Sequence, residues 1–88
     1  MEFKASRRQE LDEILLAIGK KIRKERMRLG YSQEQFAEKA GFHRTFVGSV
    51  ERGEQNITIE TYCKFAEGLG LGVYELMHGT MQDAKAGD

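Results

Sequence analysis

Two short helix-patterned segments, residues 33–40 and 44–52, lie three residues apart, and this spacing limits the possible folds more than any other feature. Short helices with so brief a connection must cross at a steep angle. The crossing needs a small residue where one helix passes over the other, and Ala37 stands at that position. The connection needs a residue that tolerates positive φ, which Gly41 supplies. This spacing predicts a helix-turn-helix unit.

The predicted unit also has a defined start and a set of inward-facing positions. Its first helix begins with a capping box, in which the Ser32 hydroxyl accepts a main-chain hydrogen bond and Gln35 reaches back to the cap. The second helix begins near Arg44 and ends before Gly53. The apolar positions that join the two helices are Phe36, Ala40, Phe42, Val47 and Val50.

The N-terminal part of the chain predicts one long helix, from about Gln9 to Leu29, which ends at Gly30. Apolar residues recur along it at steps of three and four, as a buried stripe requires. These residues are Leu11, Ile14, Leu15, Ile18, Ile22 and Leu29. We assign residues 1–16 to an extension of this helix and residues 17–77 to the domain itself.

The C-terminal part predicts a fourth helix from Thr58 to about Gly68 and a short fifth helix over residues 73–77. The inward positions of the fourth helix are predicted to be Ile59, Tyr62, Cys63, Phe65, Ala66 and Leu69. Residues 78–88 are predicted to be a polar, disordered tail. Because no segment alternates with a period of two, the fold class is all-α.

Charge is unevenly distributed, although the 14 basic and 14 acidic residues cancel. Residues 1–53 hold 12 of the 14 Lys and Arg but only 8 of the 14 Asp and Glu. Such asymmetry indicates either a DNA-facing side or simply solvated helix faces. No apolar run is long enough for a membrane span, and no secretory signal is present, so we expect a cytoplasmic protein without a membrane partner.

Enzymatic chemistry has little support in the sequence. The single cysteine, Cys63, can form neither an internal disulfide nor a metal site by itself, and we interpret it as a small core residue. The two histidines, His43 and His78, belong to no recognisable catalytic arrangement. The glycines at 68, 70 and 72 follow a helix rather than a strand, so they do not predict a nucleotide loop. We expect no catalytic residue, metal, cofactor or small-molecule ligand.

Two runs resemble the phage-repressor and Cro-like helix-turn-helix regulators. GYSQEQFAEKAG, residues 30–41, is similar to the family's second helix and turn, and VGSVERG, residues 47–53, to the end of its recognition helix. HRTF at 43–46, with NITI at 56–59, is similar to restriction–modification controller proteins. The resemblance covers roughly residues 17–77. It implies a compact five-helix lambda-repressor-like domain that binds a double-stranded DNA operator as a homodimer.

The resemblance implies that the third helix enters the major groove and contacts bases with its N-terminal residues. Arg44 is the strongest candidate, because a guanidinium can pair with O6 and N7 of guanine together. Thr45 offers a methyl group or a hydroxyl, and Ser49 follows one turn later. These three residues are the predicted base contacts.

Backbone contacts are predicted around the base-reading residues. Phosphate clamps are expected at Gln33, at the start of its helix, and after the recognition helix at Arg52, Gln55 and Asn56. Phe46 lies either against a sugar edge or in the core. His43 stands where the family more often has a cap residue, and it is either a phosphate contact or a solvated turn residue.

The family resemblance also implies a partly buried ion pair between Arg26 and Glu51. The C-terminal residues Leu71, Tyr74 and Met77 are candidates for the dimer interface, or they merely close the core. The extended lead-in of the first helix is a second candidate surface for dimerisation. Three DNA-binding roles are compatible with these residues, namely restriction–modification controller, phage-type repressor and antitoxin. The main rival is a protein-interaction module that kept the fold.

Overall fold

The computed structural model describes the main chain of residues 2–77 and the side chains of residues 7–77. Its helices are α1 (Glu2–Arg28), α2 (Gln33–Ala40), α3 (Arg44–Glu51) and α4 (Ile59–Leu69), followed by helical residues 73–77, termed α5. The predicted all-α, five-helix architecture is therefore confirmed. The tail predicted over 78–88 lies outside the described residues. None of the helices described is sufficiently long and apolar to cross a membrane.

Local capping sets the starts of the short helices. The Ser32 hydroxyl accepts a hydrogen bond from the Gln35 N–H at 3.0 Å, and the Gln35 side chain accepts one from the Ser32 N–H at 2.9 Å. Thr58 caps α4 by accepting from the Thr61 N–H at 3.1 Å. Gly41 ends α2 with φ of 81°. Because caps satisfy main-chain groups that the helix leaves unpaired, α2 and α4 begin within one residue of their predicted positions. Helix α3 also begins at its predicted residue, Arg44, although its N-cap side chain makes no hydrogen bond.

The first helix starts seven residues before Gln9, inside the segment 1–16 assigned to its extension, and it is only partly buried. It begins at Glu2 instead of Gln9, because residues 2–8 contain no glycine or proline that would interrupt it. A helix of 27 residues is about 40 Å long, and the molecule is 42 Å along its longest axis. The N-terminal half therefore projects beyond the core. Consequently Leu11 is 40% exposed, and the expectation of one continuous buried stripe was wrong.

The core lies between the C-terminal half of α1 and helices α2 to α5. Aromatic rings form its centre, with Phe65 stacked at 4.5 Å from Phe42 and 5.7 Å from Phe36, centroid to centroid. The largest fully buried side chains are Phe36, Phe65, Ile22, Leu69, Leu76, Val47 and Val50.

Two residues predicted to face inward on α4 are exposed instead. The buried face of this helix is formed by Tyr62, Phe65, Ala66 and Leu69, which follow the steps of three and four expected of one face. Cys63 lies one residue beyond Tyr62 and therefore points away from this face into solvent. Ile59, in the first turn, is 65% exposed. The interpretation of Cys63 as a core residue was wrong.

A glycine lets α1 cross the end of α3 at very short range. A Cβ atom at Gly19 would lie 2.5 Å from the carbonyl oxygen of Glu51 and 2.6 Å from that of Val50. Main-chain atoms cannot move aside as a flexible side chain can, so any larger residue would push the two helices apart. Gly19 therefore fixes the position of the C-terminal end of α3.

Candidate nucleic-acid interface

An open groove runs between the N-terminus of α2 and the outer face of α3. Its side chains are mostly polar and include three arginines and a single acid. The lining residues are Arg26, Ser32, Gln33, Glu34, Arg44, Thr45, Gly48 and Arg52. The chain thus brings together four of the residues predicted to contact DNA: Gln33, Arg44, Thr45 and Arg52.

The first turn of α3 presents its side chains to this groove. Arg44 and Thr45 are both exposed there, as a base-reading role requires. His43 occupies the N-cap position in an extended conformation, but its side chain makes no capping hydrogen bond. The first N–H groups of α3 therefore lack a side-chain acceptor, and His43 is exposed beside them.

Ser49 does not reach the groove. Its side chain is buried, with 7% of the residue exposed, and its hydroxyl donates to the Phe46 carbonyl oxygen at 2.8 Å. The hydroxyl satisfies its hydrogen bond within the helix, so the structure argues against Ser49 as a base contact. Ser49, one turn after Thr45, faces the protein because an eight-residue helix that packs on the core must turn one side inward.

Phe46 is half-buried and belongs to the aromatic cluster. Its ring centroid lies 5.4 Å from that of Phe42 and 6.2 Å from that of Phe65. Of the two interpretations open from the sequence, the contacts favour the core over a sugar edge.

The expected ion pair between Arg26 and Glu51 is present, and its arginine lines the groove. Arg26 Nε lies 2.6 Å from Glu51 Oε2 and Nη2 lies 3.0 Å from Oε1, while Nη1 donates to the Tyr31 carbonyl oxygen at 2.7 Å. The two side chains are only 9% and 3% exposed. This bidentate contact joins α1 to the end of α3.

Gln33 is attached to the same pair. Its Nε2 donates to Glu51 Oε1 at 3.1 Å, and its side chain lies over Gly48. A primary amide has two N–H groups, so one remains for another acceptor after this contact. The structure thus holds Gln33 in one orientation at the edge of the groove, which is what a phosphate clamp requires.

Arg52 is paired with a residue that the sequence analysis did not single out. Arg52 Nε lies 3.0 Å from Glu54 Oε2, and Nη2 lies 3.2 Å from Oε1. The two side chains are 59% and 55% exposed. The hydrogen bond from Arg52 lowers the pKa of Glu54, and in return the pKa of Arg52 is raised. The sequence did contain a signal for this contact, because Glu54 is an acid two positions after an arginine predicted to bind phosphate.

The two remaining candidates for contacts to the DNA backbone have different surroundings. Gln55 and Asn56 are both exposed in the loop after α3, but Asn56 borders a second, apolar groove rather than the one at α3. This apolar groove lies between α1 and the start of α4. Its lining residues are Leu11, Ile14, Leu15, Ile18, Asn56, Ile57, Ile59, Tyr62 and Met77.

The three dimer candidates differ in exposure. Tyr74 is 88% exposed and Met77 is 38% exposed, whereas Leu71 is partly buried and packs against the core. The core-closing interpretation therefore fits Leu71 but not Tyr74.

Comparison with known proteins identifies the family. A family model described as helix-turn-helix matches residues 22–76, more than half of the chain. Control protein C.SmaI of Serratia marcescens is 50% identical over 46 residues, which are 52% of this chain. That alignment spans only 55% of C.SmaI, so this chain covers about half of the relative's length.

Two solved structures are similar as well. The restriction-modification controller protein C.AhdI from Aeromonas hydrophila is 37% identical with a TM-score of 0.67, over 70% of this chain and 90% of that one. The controller protein C.Esp1396I, solved as a tetramer in complex with its natural 35 base-pair operator, is 25% identical with a TM-score of 0.74. That match covers 81% of this chain and 93% of the other. The chain therefore belongs to the helix-turn-helix family, and proteins similar to it include restriction–modification controllers.

Proposed function

We propose that this chain is a transcriptional regulator that binds a specific double-stranded DNA site with α3 in the major groove. The observation that carries the proposal is the exposure of Arg44 and Thr45 on the first turn of α3, in a groove that Gln33 also lines. Arg26 lines the same groove and is held in place by a buried ion pair. Base readout needs side chains held in a rigid frame, since hydrogen bonds to base edges tolerate little displacement. Membership of the helix-turn-helix family and the operator complex of C.Esp1396I support it.

The operon under control is proposed to be that of a restriction–modification system. Support comes from the 50% identity to a control protein and the 37% identity to a restriction-modification controller. Such a regulator acts where the DNA lies, so the proposal includes a cytoplasmic location.

The proposal includes a homodimer, because one recognition helix reads few base pairs and two can occupy successive turns of the major groove. The apolar groove between α1 and α4 supports this, since it is lined by Met77, which follows the strongly exposed Tyr74 by three residues on α5. In a two-fold pair the same surface of each copy meets the other, so exposed apolar groups of this kind can cover each other. A second copy of this chain is therefore the proposed occupant, with Tyr74 and Met77 in the interface.

DNA binding is tested by selecting sites from a randomised duplex pool and measuring affinity for the enriched site and a scrambled one. We expect a palindrome to be enriched, and Arg44→Ala to weaken binding to it by about 1–3 kcal/mol without affecting the scrambled duplex. Arg23→Ala, an exposed position on α1, controls for loss of one positive charge. Absence of an enriched site, with weak binding that ignores Arg44, would indicate a protein-interaction module instead.

The dimer is tested by sedimentation equilibrium. Tyr74→Ala is expected to weaken self-association about 1000-fold, because the substitution removes an interface aromatic from both copies and each loss costs about 2 kcal/mol. Met27→Ala, at an apolar position on α1 that is 57% exposed, should leave it unchanged. A monomeric wild-type protein, or equal association of the two variants, would contradict the proposed interface.

A further inference from the structure

We propose that Glu54 competes with DNA for Arg52, so that Arg52 contacts a phosphate only after the Glu54 carboxylate has been displaced. The inference rests on the proposed function, because it concerns the phosphate contact at the end of α3. It adds a residue that weakens binding to the DNA backbone and that neither the groove nor the resemblance suggested.

The contact has the geometry of an arginine bound to an oxyanion. Two guanidinium nitrogens meet the two carboxylate oxygens at 3.0 and 3.2 Å, a parallel arrangement that a phosphate also satisfies. Glu54 therefore binds the two Arg52 nitrogens, Nε and Nη2, that a DNA phosphate would bind. A carboxylate and a phosphate on these same two nitrogens exclude each other.

The turn after α3 keeps Glu54 beside Arg52. Gly53 has φ of 75°, its N–H donates to the Val50 carbonyl at 3.0 Å, and the Glu54 N–H donates to the Ser49 carbonyl at 2.9 Å. These two bonds form a Schellman motif, which fixes the main chain at a helix end. The backbone of Glu54 therefore stays in place, and only its side chain has to rotate for Arg52 to be released.

Arg52 also faces the groove that DNA would fill. Its Nη1 lies 3.2 Å from the position that a Cβ on Gly48 would take, and the Gln33 side chain lies close to the same position. The pair is more than half exposed, so solvent screens it and exchange of one anion for another costs little. The Arg52–Glu54 pair has no net charge, because the glutamate cancels the positive charge of the arginine. Glu54 therefore weakens the attraction of Arg52 to DNA of any sequence.

The other acid in the groove provides a matched control. Glu34 is exposed at the start of α2 and lines the same groove as Arg52. Changing either acid to glutamine removes one negative charge near DNA at constant size. Only the Glu54 change, however, should release Arg52.

The experiment measures binding of the full chain to a labelled random-sequence duplex by fluorescence anisotropy over a range of salt concentrations. The variants are Glu54→Gln, Glu34→Gln and Arg52→Gln, together with each acid change combined with Arg52→Gln. Glu54→Gln is expected to tighten binding. Because Arg52 stays paired with Glu54 in part of the wild-type complexes, the substitution should also steepen the slope of log K against log salt by up to about 0.9, the value for one added phosphate contact. Arg52→Gln should abolish that steepening but leave the smaller gain from Glu34→Gln intact.

Equal coupling of Arg52 to both acids would overturn the inference, as would weaker binding by Glu54→Gln, which would make Glu54 a positioning residue for Arg52. If the wild-type protein binds no duplex even at low salt, the proposed function fails and the inference fails with it. If the wild type binds but Glu54 and Arg52 show no coupling, only the inference fails.

Discussion

Two arginine–glutamate pairs flank the C-terminal end of α3, and both are bidentate. In the Arg26–Glu51 pair the two contacts measure 2.6 and 3.0 Å, and in the Arg52–Glu54 pair they measure 3.0 and 3.2 Å. Their surroundings differ far more than their geometry. The side chains of the first pair are 9% and 3% exposed, those of the second 59% and 55%.

The comparison shows that burial, rather than contact distance, decides what an ion pair does. Arg26 and Glu51 have lost their water, and further hydrogen bonds to Tyr31 and from Gln33 replace it. Removing one partner would leave an uncompensated buried charge, which is strongly destabilising. Arg52 and Glu54 keep their water, so each can change partner at little cost. The first pair is a structural link, and the second is an exchangeable contact.

Breaking the buried pair should have the largest effect. Glu51→Ala is expected to lower the free energy of unfolding by about 3–5 kcal/mol, because Arg26 would stay buried without its carboxylate. Urea denaturation and thermal melting measure the loss. Arg44→Ala, at an exposed position on the same helix, should change stability by no more than about 0.5 kcal/mol. Equal melting temperatures of the two variants would contradict the assignment.

Moving the buried pair without changing its charges should have the second-largest effect on the free energy of unfolding. Gly19→Ala places a Cβ against the Glu51 main chain, where 2.5 Å is available, and we expect a loss of about 1–3 kcal/mol from overpacking. Gly72→Ala is the control, since a Cβ there meets only the end of the Glu75 side chain at 3.3 Å. Similar unfolding curves for the two variants would show that the helix crossing tolerates a methyl group.

A third cluster of charges lies on α1. It should contribute less to stability than the buried pair, and its contribution should depend on pH. The hydrogen bond from Arg28 holds the pKa of Glu25 below its usual 4.5, and the nearby Lys21 adds to this. A carboxyl with a lowered folded-state pKa stabilises the protein above pH 4.5 and loses that contribution as pH falls through the folded value. Pairs of this kind contribute about 0.3–0.5 kcal/mol each.

The measurement for Glu25 is the free energy of unfolding of wild type and Glu25→Gln as a function of pH. Wild type should be the more stable near neutral pH, and the difference should shrink below pH 4.5. A difference that stays constant through this range would show that the carboxylate charge is not what stabilises the helix.

The exposed pair should have the smallest effect on stability. Glu54→Gln and Arg52→Gln are each expected to change the free energy of unfolding by less than about 0.5 kcal/mol. Thermal melting monitored by circular dichroism is sufficient to test this. A loss comparable to that of Glu51→Ala would remove the distinction between the two pairs.

Positions governed by local rules could be predicted from the sequence. Ser32 and Thr58 cap helices through bonds to residues three places along the chain, so their effect is visible in a short window. Gly41 ends α2 for the same local reason. The exposure of Arg44 and Thr45 agrees with the family resemblance, which implies that the first residues of the third helix face outward.

Features that depend on distant packing could not be predicted in the same way. Whether Ser49 faces DNA or protein depends on how α3 lies on the core, and Cys63 is exposed because the inward face of α4 is narrower than its apolar composition suggested. The crossing at Gly19 joins residues more than 30 positions apart. The Arg52–Glu54 contact differs from these features, because its partners are two positions apart and the sequence carried a local signal for it.

The crossing at Gly19 has a mechanical consequence. It fixes α3 at its C-terminal residue, Glu51, whereas Arg44 lies at the opposite end, about 11 Å away along an eight-residue helix. A change in the position of this crossing would displace Arg44 most, because Arg44 lies farthest from it along α3. A tilt of about 5° at the crossing moves the far end by about 1 Å, more than the whole distance range of a good hydrogen bond. In the proposed DNA complex, a substitution at Gly19 would therefore change which bases Arg44 can reach without itself contacting the DNA.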